Sequence, residues 1–298
     1  MENFLTTKQK IFLSFIFGLF LLNIVAWQEV FVLAGPHYLK IDVLDIGQGD
    51  SIFIQTPSRR TILIDGGPDS LVLEKLANRL PFWQKSLDMV VLTHPDQDHI
   101  MGIFSVLQKY KINYIVWTGM VRDGANYQRW IELLAQKQKE GSKIIIVDAN
   151  TDIFSGGAFI DVLNPLENIE GKYFGKTGND TGIVLRLMYG DDSFLFAADT
   201  SSKIEQALID RKVNLASDVL KVGHHGSKYS TSEAFLRAVN PKIAVISVGA
   251  HNTYGHPTQE VLQKLQKNGI NILRTDEDGD VELVSDGQNI KVISDTNY

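Results

Sequence analysis

From residue 38 onward, short runs of β-branched and aliphatic residues alternate with turn signals and amphipathic stretches. Residues 39–46, 51–56 and 61–65 read as three consecutive strands, joined by Gly47-Gln48-Gly49-Asp50 and Pro57-Ser58-Arg59-Arg60, which predicts a meander. A helix is expected at 70–80, stopped by Pro81, and then Met89-Val90-Val91-Leu92 reads as a strand. Strands near 114–118 and 143–147 flank a long polar helix at 125–140. The second half repeats this order loosely. Strands at 159–163, 182–188 and 194–198 precede a helix after Asp199, followed by a strand at 218–222, a helix at 232–239, a strand at 243–248 and a helix at 258–267. Strands at 270–273, 281–284 and 290–293 close the chain. Two β-rich halves, each carrying helices, predict an α/β domain of two sheets packed face to face with helices outside.

The first 35 residues follow a different pattern. Lys8 and Lys10 precede a near-continuous apolar stretch from Ile11 to Trp27, and the run resumes at Val30 after Gln28 and Glu29. That length is at the lower limit for spanning a bilayer, and lysines on its N-terminal flank place that end inside. The expectation is a single-pass cell-membrane anchor over 1–35, with a domain over 36–298 outside the cytoplasm. The competing reading is a signal peptide cleaved after Val32-Leu33-Ala34, which would leave a secreted protein.

Composition narrows the chemistry. A chain of 298 residues with 44% hydrophobic and 21% charged residues is long enough to bury a sizeable core. Its net charge of −6 argues against gripping nucleic acid through overall positive charge, leaving only a local patch. It has no cysteine, so disulfides, thiolate metal sites and cysteine nucleophiles are excluded. Any metal must be held by His, Asp, Glu or Asn.

One stretch concentrates such ligands. His94-Pro95-Asp96-Gln97-Asp98-His99 places four of them in six positions directly after an apolar strand. His94 and Asp96 alternate as in a loop leaving a strand and can face one ion, while Asp98 and His99 can turn toward a second. The plainer alternative is a polar turn opening a helix, with Asp96 or Asp98 as N-cap. Six of the seven histidines lie after residue 90, each close behind an expected strand, so His94, His99, His224, His225, His251 and His256 could meet at one sheet edge. Gly223 and Gly226 around the double histidine suit close backbone approach to a ligand. Asp199 ends a buried-type strand and could cap a helix or bridge two cations. Asp65, before Gly66-Gly67, could orient a ligand histidine without touching metal. Lys221, Lys228 and Arg237 could meet phosphate oxygens or form an ordinary solvated surface.

His94-x-Asp96-x-Asp98-His99 resembles the HxHxDH signature of the metallo-β-lactamase superfamily, with aspartate in place of the second histidine. Together with Leu44-Asp45-Ile46-Gly47-Gln48-Gly49-Asp50-Ser51, Leu63-Ile64-Asp65-Gly66-Gly67, Asn179-Asp180-Thr181, Leu220-Lys221-Val222-Gly223-His224-His225-Gly226-Ser227 and Tyr254-Gly255-His256-Pro257, it is similar to the hydrolase domain of ComEC-type competence proteins. The resemblance spans nearly all of 38–298. It implies a four-layer αββα sandwich with a dinuclear site. His94 and Asp96 would bind the first ion, Asp98 and His99 the second, Asp199 would bridge, and His256 would be the last ligand. His224 and His225 would supply a further ligand or a general acid, and Asp98 would also serve catalysis.

Two departures follow. Asn179 or Asp180 occupies the place of the superfamily's middle histidine. With Asp96, that oxygen-rich set favours manganese, with zinc and magnesium also admitted. The family's multi-helix channel is also missing, since only one hydrophobic segment is found. The expectation is a stand-alone, membrane-tethered relative: a two-metal phosphodiesterase or nuclease acting on DNA or a related phosphodiester. Asp65, Asn179, Asp180, Ser227, Lys221 and Lys228 would support the site or contact substrate. The alternatives are a small-molecule ester, lactone or thioester hydrolase, and a non-catalytic DNA- or partner-binding surface domain. No sequence feature specifies a protein partner.

Overall fold

The computed structural model describes residues 6–34, 38–175 and 178–293. It divides into two units, Met1–His37 and Tyr38–Tyr298. The first contains helix α1 (Thr7–Ala34), whose stretch Thr7–Trp27 is long and apolar enough to cross a membrane. The expected cleavage point runs into Gly35, outside the described residues.

The second unit begins with β1 (Leu39–Val43), β2 (Ile52–Gln55), β3 (Thr61–Ile64), α2 (Leu71–Arg79), β4 (Ser86–Val91), α3 (Gln97–Lys109) and β5 (Lys111–Trp117). It continues through α4 (Ala125–Lys139), β6 (Lys143–Ile146), β7 (Asp152–Ser155), β8 (Ala158–Asn164), β9 (Val184–Tyr189) and β10 (Asp192–Phe196). It closes with α5 (Ser202–Asp210), β11 (Val219–Lys221), α6 (Glu233–Val239), β12 (Ile243–Ile246), α7 (Gln259–Lys267), β13 (Asn271–Arg274), α8 (Thr275–Asp278), β14 (Val281–Ser285) and β15 (Ile290–Ile293).

These strands form two sheets, ordered β15-β14-β1-β2-β3-β4-β5-β6 and β13-β12-β11-β10-β9-β8-β7. Period-two alternation sends Leu39, Ile41 and Val43 of β1 inward, where they meet Ile160, Val162, Leu185 and Phe194 of the opposite sheet. Outward residues of the first sheet, such as Leu63 and Val90, pack under α2, α3 and α4 through Leu76, Phe104 and Trp130. On the other side, Leu195, Leu220 and Ile246 pack under α5, α6 and α7 through Leu208, Leu236 and Leu265. One inter-sheet core between two helix–sheet cores gives the expected αββα layering.

Strand direction places the chemistry. β3 to β6 run parallel, as do β10 to β13. Their carboxyl ends carry the loops that begin at Asp65, Leu92, Ala197 and Val222. β1 and β2 are antiparallel neighbours, with Lys40 opposite Gln55 and Gln55 opposite Thr61, so the chain enters the domain at the other, amino end.

The meander appears as expected, and so does the helix at 125–140. One alternative of the sequence reading is realised, and some features are unexpected, β7 and α8 among them. The polar motif at 94–99 opens a full helix, α3, with Asp96 at its N-cap position but making no side-chain cap hydrogen bond. The last two strands join the first sheet beside β1, and do not extend the second half.

Candidate metal centre

At the carboxyl ends, Asp98, His99, Asp199 and His225 each present a ligand atom within 4.8 Å of the others. His99 Nε2 lies 3.3 Å and His225 Nε2 3.4 Å from Asp199 Oδ2, and His225 Nε2 is 3.3 Å from Asp98 Oδ2. His94 flanks this group, its Nε2 3.8 Å from Asp96 Oδ2 and 4.0 Å from Asp199 Oδ2.

Hydrogen bonds behind these side chains orient the rings. Asp65 Oδ2 accepts from His99 Nδ1 at 2.8 Å and from Thr93 Oγ1 at 2.6 Å, while its Oδ1 accepts from the Thr93 amide at 2.8 Å. Because the Thr93 hydroxyl donates to Asp65, its oxygen accepts from His94 Nδ1 at 3.0 Å. His225 Nδ1 donates to the Ser247 carbonyl at 2.8 Å and lies 3.3 Å from Asp50 Oδ1. Each ring thus turns Nε2 inward, where its lone pair can meet a cation once that nitrogen gives up its proton. The Nε2 atoms of His94, His99 and His225 and Oδ1 of Asp199 are buried without a hydrogen-bond partner. Buried polar atoms are ordinarily paired, so convergent orphans of this kind suit a bound cation.

The electrostatics agree. Burial opposes charge on His99, but Asp199 and Asp65 outweigh it and hold the imidazolium well above the usual histidine range. Burial of His225 is likewise outweighed by Asp199 and Asp50. Burial of Asp199 is outweighed by His225 and His99, which keep its carboxyl well below the ordinary value. His94 shifts the other way, lowered by burial and by neighbouring His99.

Local backbone conformation makes this convergence. His224 and His225 both adopt left-handed φ, +48° and +53°, in the tight turn Gly223–Gly226. The turn is held by the His224 amide on the Ala198 carbonyl at 3.0 Å and the Ser227 amide on the His224 carbonyl at 2.9 Å. Left-handed backbone is costly for histidine, and such strain persists where surrounding structure fixes it. Here it sends the two rings in different directions. His225 is buried in the cluster, while His224 is half-buried at the mouth, with Nε2 3.9 Å from Asp199 Oδ2 and 3.5 Å from Asn179 Nδ2.

The remaining expected residues are distributed around this core. His256 lines the pocket mouth, its ring centroid 5.8 Å from that of His224, so the fourth place in the tight cluster is held by His225 instead. Burial and His224 hold its pKa below the usual value. Asn179 also lines the pocket, whereas Asp180 is exposed and accepts from the Ser201 amide at 3.2 Å. Ser227 is buried, its hydroxyl accepting from the Tyr229 amide. Lys228 is exposed over the Tyr229 ring, and Arg237 lies 3.8 Å from Glu233 on α6. His251 is exposed and does not line the pocket. Lys221 corrects one expectation: it is 1% exposed and bonded to Asp50, so it cannot reach a phosphate arriving from solvent.

Sequence reading missed several participants. Asp50 and Gln48 lie in the 44–51 motif and Tyr254 in the 254–257 motif, both of which carry the resemblance, but sequence reading gives none of the three a role at the site. Arg122 pairs with Asp96, and Gln48 and Tyr254 line the mouth. Arg122 had no local signal, since it reaches the site from the loop after β5. The pocket is open to solvent and about 150 Å³, room for a phosphate-sized group.

Comparison with known proteins adds an independent line. The family model described as the metallo-beta-lactamase superfamily matches residues 44–251. The chain is 34% identical over 261 residues to ComE operon protein 3 of Bacillus subtilis (strain 168), and 32% identical over 247 residues to Competence protein ComA of Neisseria gonorrhoeae. Each alignment covers 82% of this chain and 32% of the relative, so the chain spans about a third of the length of these proteins. In fold, it is similar to the crystal structure of the metallo-beta-lactamase fold protein YhfI from Bacillus subtilis. That match has a TM-score of 0.57 at 14% identity, covering 84% of this chain and 100% of that one.

Proposed function

Because this chain belongs to the metallo-β-lactamase superfamily, we propose that it is a metal-dependent phosphodiesterase acting on DNA or a related phosphodiester. The observation that carries the reading is the set of buried, unpartnered Nε2 atoms of His94, His99 and His225 around Asp199. Asp98, His99, Asp199 and His225 would hold one divalent cation, and His94 and Asp96, sharing Asp199, a second. Manganese is favoured, with zinc and magnesium as alternatives. Such cations polarise a phosphoryl oxygen and lower the pKa of water.

The chain's own residues supply the rest. Asp65 fixes the ring orientation of His99 directly and of His94 through Thr93. Asp98 Oδ2, 3.3 Å from His225 Nε2 and about one-third exposed, can accept a proton from an attacking water. His224, half-buried at the mouth, would return a proton to the leaving oxygen. The small pocket can take a phosphate-sized reacting group, and its open mouth leaves room for a polymer to extend outside. Relatives named for competence favour DNA as that polymer, and α1 supports a membrane-tethered domain. Hydrolysis of a small ester, lactone or thioester is the second reading, because a pocket of this size also accepts a compact ester.

The test is cleavage of single- and double-stranded DNA and bis-nitrophenyl phosphate, alongside lactone and thioester substrates, with added manganese, zinc or magnesium. Metal-dependent phosphodiester cleavage that His99→Ala abolishes is expected. Turnover of only the lactone or thioester would replace the reading with the second one. Metal binding without turnover would leave a binding domain.

A further inference from the structure

The amino end of the sheets, opposite the metal centre, carries an unusual surface. Between α2 and β4 the chain projects Phe82 and Trp83, 82% and 61% exposed, stacked edge to face at 4.8 Å. Large aromatics this exposed, side by side, mark an interaction surface. Strand register puts this turn at the same end as Tyr38, where the polypeptide enters the domain. Phe154, 75% exposed, is also at this end, because its hairpin turn bonds to the β2–β3 turn through Ser58 and Gly156.

The charges near the aromatic turn are predominantly positive. Lys85 and Lys111 are adjacent, the Lys111 amide donating to the Lys85 carbonyl at 2.9 Å, and Arg59 and Lys109 lie at the same level. All four are exposed. The nearby carboxylates of Asp88 and Glu140 are paired with Arg60 and Lys137. Asp191 and Asp286 lie beside the chain entry, since Ser285 pairs with Leu39 and the Asp191 amide bonds to Gly287, and the aromatic turn is three strands away from them.

We propose that this end of the domain docks on an anionic lipid bilayer, with Phe82 and Trp83 in the headgroup interface and Arg59, Lys85, Lys109 and Lys111 on lipid phosphates. Trp is favoured at membrane interfaces, and basic side chains beside it reach anionic headgroups. The chain argues for this occupant over a protein partner. Residues 28–37 separate the stretch able to cross a bilayer, which ends at Trp27, from Tyr38, a reach on the order of 20 Å with 28–34 helical. The tether would thus keep this end of the domain near the bilayer, and within that end the aromatic turn and its lysines are the part suited to an anionic surface. The metal centre would then face away from the membrane, roughly 20 Å along the strands. This inference does not depend on which ester the centre hydrolyses.

The chain has no native cysteine, so single labels can be introduced into the full-length protein. A fluorophore on Ser86→Cys, at the start of β4, is compared with one on Thr253→Cys, exposed near the pocket mouth. The protein is reconstituted in phosphatidylcholine vesicles with or without phosphatidylglycerol, containing a doxyl-lipid quencher. Quenching is expected at 86 and not at 253. It should be lost at 86 in Phe82→Ser/Trp83→Ser protein, without phosphatidylglycerol, and at roughly 1 M salt. Metal binding by the double variant should be unchanged, which excludes misfolding. Equal quenching at the two positions, or quenching at 86 that survives the double substitution, would overturn the proposal.

Discussion

Lys221 Nζ lies 2.6 Å from Asp50 Oδ2, both side chains buried, and the other oxygen of that carboxylate lies 3.3 Å from His225 Nδ1. A lysine that sequence reading offers to substrate instead steadies a cluster histidine from behind. Lys221→Met leaves a buried carboxylate without its cation and should cost about 3–5 kcal/mol in denaturant unfolding. Combining it with Asp50→Asn should recover most of that stability. It should also weaken metal binding about 10–100-fold, because His225 loses its support. A double variant as unstable as the single one, with unaltered metal affinity, would refute this role.

Gly102 sets the seat of α3. A Cβ there would lie 1.8 Å from the Gly66 carbonyl oxygen and 2.6 Å from that of Asp69, backbone atoms with little freedom to yield. The same contact region holds the Gly66 amide on the His99 carbonyl and the Gly102 amide on the Gly67 carbonyl. Gly102→Ala is expected to destabilise the domain by about 3 kcal/mol or more. It should also loosen the His99–Asp65 hydrogen bond, seen as a changed His99 imidazole signal by NMR. An unshifted melting temperature would count against the close packing.

Metal binding should release protons. In the cation's absence, Asp199 with Asp65 and Asp50 keeps His99 and His225 protonated well above the ordinary histidine range, against the opposing effect of burial. A cation must displace those protons, so apparent affinity should rise with pH through and above the usual histidine range. Titration calorimetry in buffers of different ionisation enthalpy reads the proton count. Binding heats independent of buffer would contradict the assignment.

The two proposed metal positions are unequal. Asp98, His99, Asp199 and His225 form one tight group, whereas His94 and Asp96 share Asp199 and Asp96 is partly engaged by Arg122. One tight and one weaker binding step are expected. His225→Ala should remove the tight step, and Asp96→Ala mainly the weak one. A single step of two equivalent ions would rule out this inequality.

Away from the centre, Asp42 in β1 is pushed up to about 6 by burial, which the neighbouring Arg79 only partly offsets. The folded protein therefore holds this proton more tightly than the unfolded chain. The stability it contributes is complete below about pH 4 and is lost as pH rises through about 6, a difference of about 3 kcal/mol. In metal-saturated protein, Asp42→Asn should gain on the wild type between pH 4 and 7 in denaturant melts. Parallel curves for the two proteins would exclude the effect.

What was legible in the sequence was whatever neighbours in the chain decide. Alternation of β-branched residues marked the meander, and Pro81 marked the end of α2. The start of α3 at Asp96 was legible only as an alternative to the metal loop, because polar residues at 96–99 interrupt its apolar periodicity, and the structure uses the same residues for both. The choice between His225 and His256 was not legible either. Both follow strands that end at one edge, and only the left-handed turn at 224–225 decides which ring is buried. Arg122, Ser247 and the Asp50–Lys221 pair are contacts between distant segments, which local pattern does not encode. The pairing of β14 with β1 is of the same kind.

That pairing bears on how the chain acquires its structure. The Asp45 amide donates to Asp280 Oδ1 across 235 residues, and β1 finds its second neighbour only in β14. On the ribosome, β1 to β3 emerge early and can form their meander, but one edge of β1 then waits for nearly the whole domain to be synthesised. An unpaired strand edge is a template for wrong partners, and such long-range closure is slow. Nascent chains stalled before residue 280 should be the aggregation-prone species of this protein, and a chaperone that shields a single open strand edge would act on them with most effect.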